Sequence, residues 1–174
     1  MKKAKTALFV GRFEPLHRGH IHAIKSIVRK FGKIVIAIGS EQESRTGKNP
    51  FSFKERKAMI RSALAKEGIN AKIIGVCDFY DDAKWAKAVE RQCKFDVAVT
   101  GNAWTRRCFR GKYPVFSPDL LKPEKYSSTR VRMMMRKEKR WKGLVPKKVY
   151  EYITVKTVGF SCIGKRSFPM KRKN

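Results

Sequence analysis

Two histidines three residues apart are the first groups in this chain able to do chemistry. They lie in Gly11-Arg-Phe-Glu-Pro-Leu-His-Arg-Gly-His20, where one glycine closes an apolar run and another, Gly19, stands at the mouth of a helix. A helix start presents unpaired backbone N–H groups and a partial positive charge, so an anion settles there, and a glycine lets a ligand approach the backbone closely. His17 and His20 can then donate hydrogen bonds to phosphoryl oxygens. The competing reading is that both histidines only cap and pack. A zinc site built from His17, His20 and His22 lacks an evident fourth ligand, and His22 points away from the face the other two share, so no metal is expected on protein side chains.

A second anion-handling pattern follows more than a hundred residues later, in Tyr126-Ser-Ser-Thr-Arg-Val-Arg132. Ser127, Ser128 and Thr129 are good N-cap residues, and Arg132 lies one turn inside the same helix start. Alone, this pattern is equally a structural cap followed by solvent-facing arginines.

The elements that must position these groups alternate along the chain. Thr6-Ala-Leu-Phe-Val10 is a β-favouring run, and residues 20–31 place Ile21, Ile24, Ile27, Val28 and Phe31 at helical spacing before Gly32 stops the helix. Ile34-Val-Ile-Ala-Ile38 is a fully apolar strand of the kind buried in parallel sheets, and a polar loop spans 39–50. Ser52-Phe-Lys-Glu55 is a capping box opening a helix that ends at Gly68. Strands are then expected at 72–77, 95–100 and 113–116, with helices at 83–92, 104–109, 127–136 and 146–155. This alternation predicts an α/β fold, a Rossmann-like doubly wound parallel sheet with helices on both faces, whose ligands bind beyond the carboxyl ends of the strands. Residues 1–155 read as one domain and the basic stretch 156–174 as a tail.

Taken together, Gly11-Arg-Phe-x-Pro-x-His-x-Gly-His20 and Tyr126-Ser-Ser-Thr-Arg-Val-Arg132 resemble the paired motifs of the HxGH nucleotidyltransferase superfamily, and within it the archaeal-type nicotinamide-nucleotide adenylyltransferases. The resemblance covers roughly residues 6–155. It implies that His17 and His20 bind triphosphate oxygens and stabilise the transition state, with Arg12 beside them. Gly11, Phe13 and Gly19 fall in the nucleotide-binding loop, and Ser128, Thr129 and Arg132 match the helix start that grips the β and γ phosphates. Gly101-Asn102 matches a Gly-Asn pair that approaches the nucleotide. Asp78 and Trp85, in Asp78-Phe-Tyr-Asp-Asp-Ala-Lys-Trp85, match the carboxylate and the ring that flank the nicotinamide, although Asp82 stands where the family usually has asparagine. Lys48 replaces an arginine near the phosphate channel, keeping the charge and losing the fork. The implied reaction passes AMP from ATP to NMN, with Mg²⁺ held mainly by the ATP phosphates, and related enzymes commonly form homo-oligomers. FAD synthesis, phosphopantetheine adenylylation and cytidylyl transfer to an alcohol phosphate would use the same first motif.

Composition bounds these readings. The 174 residues are 42% hydrophobic, enough for one compact domain, and the four cysteines form no CxxC pair. No apolar run approaches the ~20 residues of a membrane helix, so a cytoplasmic protein without membrane contact is expected. Formal charge is +28. A field of that size concentrates anions. Nucleotides satisfy it, as does nucleic acid on a scaffold that has lost its chemistry, although the intact His17, His20 and Arg132 argue against that loss.

Overall fold

The computed structural model describes residues 4–161, with side chains described through residue 155. Five parallel strands, β1 (Lys5–Gly11), β2 (Gly32–Ile38), β3 (Lys72–Gly75), β4 (Val97–Val99) and β5 (Val115–Phe116), lie in the order β3-β2-β1-β4-β5. Leu8 stands opposite Val35 on one side and Ala98 on the other. The chain winds outward from β1 in one direction, then returns to start the other wing at β4. The gap between β1 and β4 is therefore the point where the winding reverses, and crevices form there beyond the carboxyl ends of the strands.

Six helices cover the sheet: α1 (Arg18–Phe31), α2 (Phe53–Lys66), α3 (Asp82–Gln92), α4 (Ala103–Phe109), α5 (Ser128–Arg136) and α6 (Lys147–Ser161). Because successive strand residues face opposite ways, each strand feeds two cores. Ala7, Phe9, Ile34, Ile36, Ile38, Val97 and Val99 join α1, α2, α5 and α6 on one face. Leu8, Val35, Ala37 and Ala98 join α3 and α4 on the other. Leu8, Ile36 and Ile38 are wholly buried, each worth roughly 1.5–3 kcal/mol of apolar burial.

The doubly wound parallel sheet expected from the alternation is what the chain forms. The expected strands at 72–77, 95–100 and 113–116 shorten to four, three and two paired residues, since pairing runs only as far as a neighbouring strand offers a partner. The other departure lies at the end of the chain. Helix α6 continues to Ser161, six residues past the boundary placed at 155. Once nucleated, each added residue gains a hydrogen bond, and the single Gly159 does not offset that. The remainder of the expected tail, residues 162–174, lies outside the described residues.

Candidate functional site

The carboxyl end of β1 turns at Gly11 and runs through a tight loop into α1. Phe13 adopts a positive φ of 54° yet is 1% exposed. Its ring packs edge-on to Phe9 at 5.7 Å and against His20 at 4.8 Å, which fixes the loop despite the strained backbone. His17 is the N-cap of α1, and the cap is reciprocal. His20 N–H donates to His17 Nδ1 at 3.3 Å, and His17 N–H donates to His20 Nδ1 at 3.2 Å. The two rings stack with centroids 3.6 Å apart.

This cap decides the tautomers. Each Nδ1 accepts a backbone proton, so each neutral ring carries its own proton on Nε2, and that N–H is the donor each ring can offer an incoming anion. Burial holds both rings neutral. It pushes His17 down to about 4. It also drives His20 well below its ordinary value, helped by the neighbouring His17.

A second helix start meets the first. Ser127 caps α5, accepting from Arg130 N–H, while Ser128 Oγ donates to Pro15 O at 3.1 Å. Arg132 donates through Nη1 to Glu14 O at 2.8 Å and through Nη2 to Thr129 Oγ1 at 3.3 Å. Two motifs over a hundred residues apart thus share one loop. Gly19 permits the approach: a Cβ there would lie 3.0 Å from Tyr126 Cβ and 3.1 Å from the His17 ring. Gly19→Ala is therefore expected to displace the His17 ring and cut turnover about ten-fold or more, with little change in Tm, since one misplaced donor is costly. Steady-state kinetics beside thermal unfolding test this.

Beneath the loop lies a buried ion pair that sequence reading missed. Arg56 is 0% exposed and Glu14 1%, with Arg56 Nε 3.0 Å from Glu14 Oε1. Arg56 Nη1 donates to Arg12 O at 3.1 Å and Gly39 O at 2.9 Å, and Nη2 donates to Ser40 O at 2.9 Å. Glu14 Oε2 accepts from Phe51 N–H at 3.1 Å. One guanidinium thus joins the β1 loop to the end of β2. The available signal was an arginine on the apolar stripe of α2, one turn before Met59 and Ile60. Burial pushes Glu14 up to about 7, against Arg56, the Phe51 N–H, Arg132 and Arg12, which all favour the anion.

The other predicted residues fall into two groups. Arg12 is exposed at the mouth of the loop, and Gly101 and Asn102 follow β4 on the far side of the crevice, where Asn102 caps α4 by accepting from Thr105 N–H. Lys48 is exposed on the 39–50 loop, whose Gly47 lies beside Arg136. Asp78 follows β3, and its N–H donates to Gln42 Oε1 at 3.2 Å. Trp85 corrects an expectation. It is 1% exposed, inside the α3–α4 core, edge-on to Trp104 at 5.3 Å and Phe109 at 5.6 Å. Its helix faces the sheet, so burial of the largest side chain outweighs presenting it, and no open face remains for a ligand in this conformation. His22 stands apart from the histidine pair, its Nε2 3.0 Å from Asp119 Oδ2.

The titrations carry a prediction. A histidine held neutral when folded but titrating near 6.5 when unfolded contributes stability in full above pH 6.5, lost as pH falls toward 4. Glu14 acts oppositely: its contribution is full below 4.5 and lost as pH rises through about 7. His17→Asn keeps an N-cap acceptor and removes the histidine term. Its Tm is therefore expected to fall less between pH 7 and pH 5 than that of the unsubstituted protein; an equal fall would show His17 does not titrate as a buried group.

A parallel α/β sheet with two helix starts and two arginines at the loop where its winding reverses is an arrangement that can hold phosphates. The chain belongs to the cytidylyltransferase-like family, whose model matches residues 8–134. It is 39% identical over 155 residues to a protein of Pyrococcus furiosus named nicotinamide-nucleotide adenylyltransferase, covering 86% of this chain and 82% of the relative. A Methanococcus vannielii protein of the same name is 40% identical over 149 residues, 84% of this chain and 87% of the relative. Among solved structures, a bifunctional NMN adenylyltransferase/ADP ribose pyrophosphatase of Francisella tularensis, crystallised with AMP and a manganese ion, matches with a TM-score of 0.71 and 28% identity. That match covers 82% of this chain, and the chain spans 44% of that bifunctional protein.

Proposed function

We propose that this protein is a nicotinamide-nucleotide adenylyltransferase, transferring AMP from ATP to NMN with release of pyrophosphate. The observation that carries the chemistry is the meeting of the reciprocally capped His17–His20 pair with Arg132 of α5 on one loop. The acceptor rests on the name shared by the archaeal relatives.

A phosphate oxygen of NMN attacks the α-phosphorus of ATP in line, forming the new P–O bond as the bond to the β,γ-diphosphate breaks and its electron pair leaves with pyrophosphate. The Nε2–H groups of His17 and His20 stand ready to meet the charge that builds on the phosphoryl oxygens. Arg12 and Arg132 flank the triphosphate, and the N–H groups opening α1 and α5 add their partial charge. Nothing in this scheme needs a protein nucleophile. Catalysis consists of holding two mutually repelling anions together and neutralising developing charge with fixed donors.

Mg²⁺ arriving with the nucleotide would be held by phosphate oxygens and water, as it prefers, and would neutralise part of the triphosphate charge. The donor set fits that arrangement. The carboxylate beneath the loop, Glu14, is already committed to Arg56 and the Phe51 N–H. No helix of the described residues is long and apolar enough to cross a membrane.

The test is pyrophosphate release with Mg²⁺, offering ATP and CTP each against NMN, nicotinic acid mononucleotide, FMN and phosphopantetheine. Turnover is expected with ATP and NMN. Activity confined to another acceptor would retain the chemistry and discard the assignment of NMN.

A further inference from the structure

The sites of positive charge along the chain are not evenly neutralised. Outside α5 and the turn beyond it some basic side chains meet acids, among them Lys25 with Glu67, Arg45 with Glu55, Arg56 with Glu14 and Arg107 with Asp82. Along α5 and the turn beyond it basic residues crowd together. Arg130, Arg136, Lys137, Lys139, Arg140 and Lys142 are all exposed, and none makes an ion pair among the described residues. Residues 122–148 contain 11 Lys and Arg against two Glu. That is 11 basic residues in 27 positions, against 31 in the other 147, so positive charge is concentrated in this stretch beyond the chain's general bias.

The backbone under these charges is rigidly seated. Val131, Leu144, Val145 and Val149 are buried in the core of the α1–α2 face, and Trp141 stacks on Tyr150 with centroids 4.7 Å apart. The cations therefore project from a fixed ridge that starts where α5 leaves the phosphate site and runs over its ~13 Å length into the turn beyond. Side chains three or four apart on a helix start about 5–6 Å apart, inside the Debye length of about 8 Å at physiological salt, so closely spaced cations here act as one field. The adenylyl transfer uses Arg132 near the start of α5, whereas Arg136, Lys137, Lys139, Arg140 and Lys142 lie at its far end and in the turn beyond. A row of fixed, unneutralised cations fits a polyanion, whose backbone phosphates release their condensed counterions on contact.

We propose that the ridge formed by Arg136, Lys137, Lys139, Arg140 and Lys142 is a nucleic-acid-binding surface that grips the phosphate backbone, separately from the nucleotide site. The exposed groups offered are mostly flexible cations, with Glu138 the one acid among them, so contacts to backbone phosphates supply the affinity.

Fluorescence anisotropy of the full chain with a short labelled single-stranded RNA tests this. Binding is expected to weaken steeply between about 50 and 200 mM salt. Lys139→Glu/Arg140→Glu/Lys142→Glu is expected to lower affinity at least ten-fold and to reduce the slope of log K against log salt by about 2, as three lost phosphate contacts would on a single strand. Adenylyl transfer should persist in this variant, showing that it is folded. The Arg140→Gln/Lys142→Gln protein, a milder change, should show a smaller loss in the same direction. Lys66→Glu/Lys87→Glu/Lys94→Glu removes the same charge from exposed sites elsewhere and should retain affinity within about two-fold, and saturating ATP should leave the RNA bound. Absence of binding at low salt, equal loss in both triple variants, or complete displacement by ATP would each overturn the assignment.

Discussion

Replacing His20 by alanine is expected to lower turnover by roughly 10²–10³-fold, the cost of deleting one preorganised donor to a developing oxyanion. The fold should survive, because His20 is only half-buried and sits at the third position of a helix whose cap acceptor, His17 Nδ1, remains. The variant does remove one reciprocal hydrogen bond, leaving the His17 N–H without its partner, so a modest fall in Tm accompanies the loss. Pyrophosphate release measured beside thermal unfolding separates the two effects. A folded His20→Ala protein turning over near the original rate would remove this histidine from the mechanism.

Replacing Arg56 by leucine is expected to produce the largest loss of stability at any single position discussed, about 3–5 kcal/mol, because it leaves Glu14 buried without its partner. Backbone carbonyls of Arg12, Gly39 and Ser40 each lose a donor as well, Ser40 O keeping the Glu43 N–H. Glu14→Gln in the same chain removes the stranded charge and should recover part of the loss, so the double variant is less destabilised than the two single changes added together. Urea unfolding of the four proteins measures this coupling. Additive losses would show that the pair is not an energetic unit.

Much of this architecture is legible in the sequence because local rules and the global fold agree. The apolar runs at 6–10 and 34–38 are too continuous for edge strands, and the capping box at Ser52 and Glu55 forms as spacing predicts. The two phosphate motifs are readable because helix starts that bind anions need particular residues at fixed offsets. Trp85 was not readable in the same way. A tryptophan after a strand suits both a stacking platform and a core, and only the packing of α3 against α4 shows that it is enclosed by Trp104 and Phe109. The short strands β3 to β5 also escape local reading, since their length is set by the register of neighbours rather than by their own residues.

By itself the sequence determined the order of elements, the class of fold and the two anion-binding helix starts, since each depends on contacts within a few residues. The tertiary structure alone decided that these starts share one loop, that His17 and His20 cap each other and so present Nε2–H, and that Glu14 and Arg56 lock the floor beneath them. Those relations join residues 3 to 118 positions apart, and the ones across the fold arise from burial: an enclosed charge or polar group must find its partner wherever the folded chain brings one within reach.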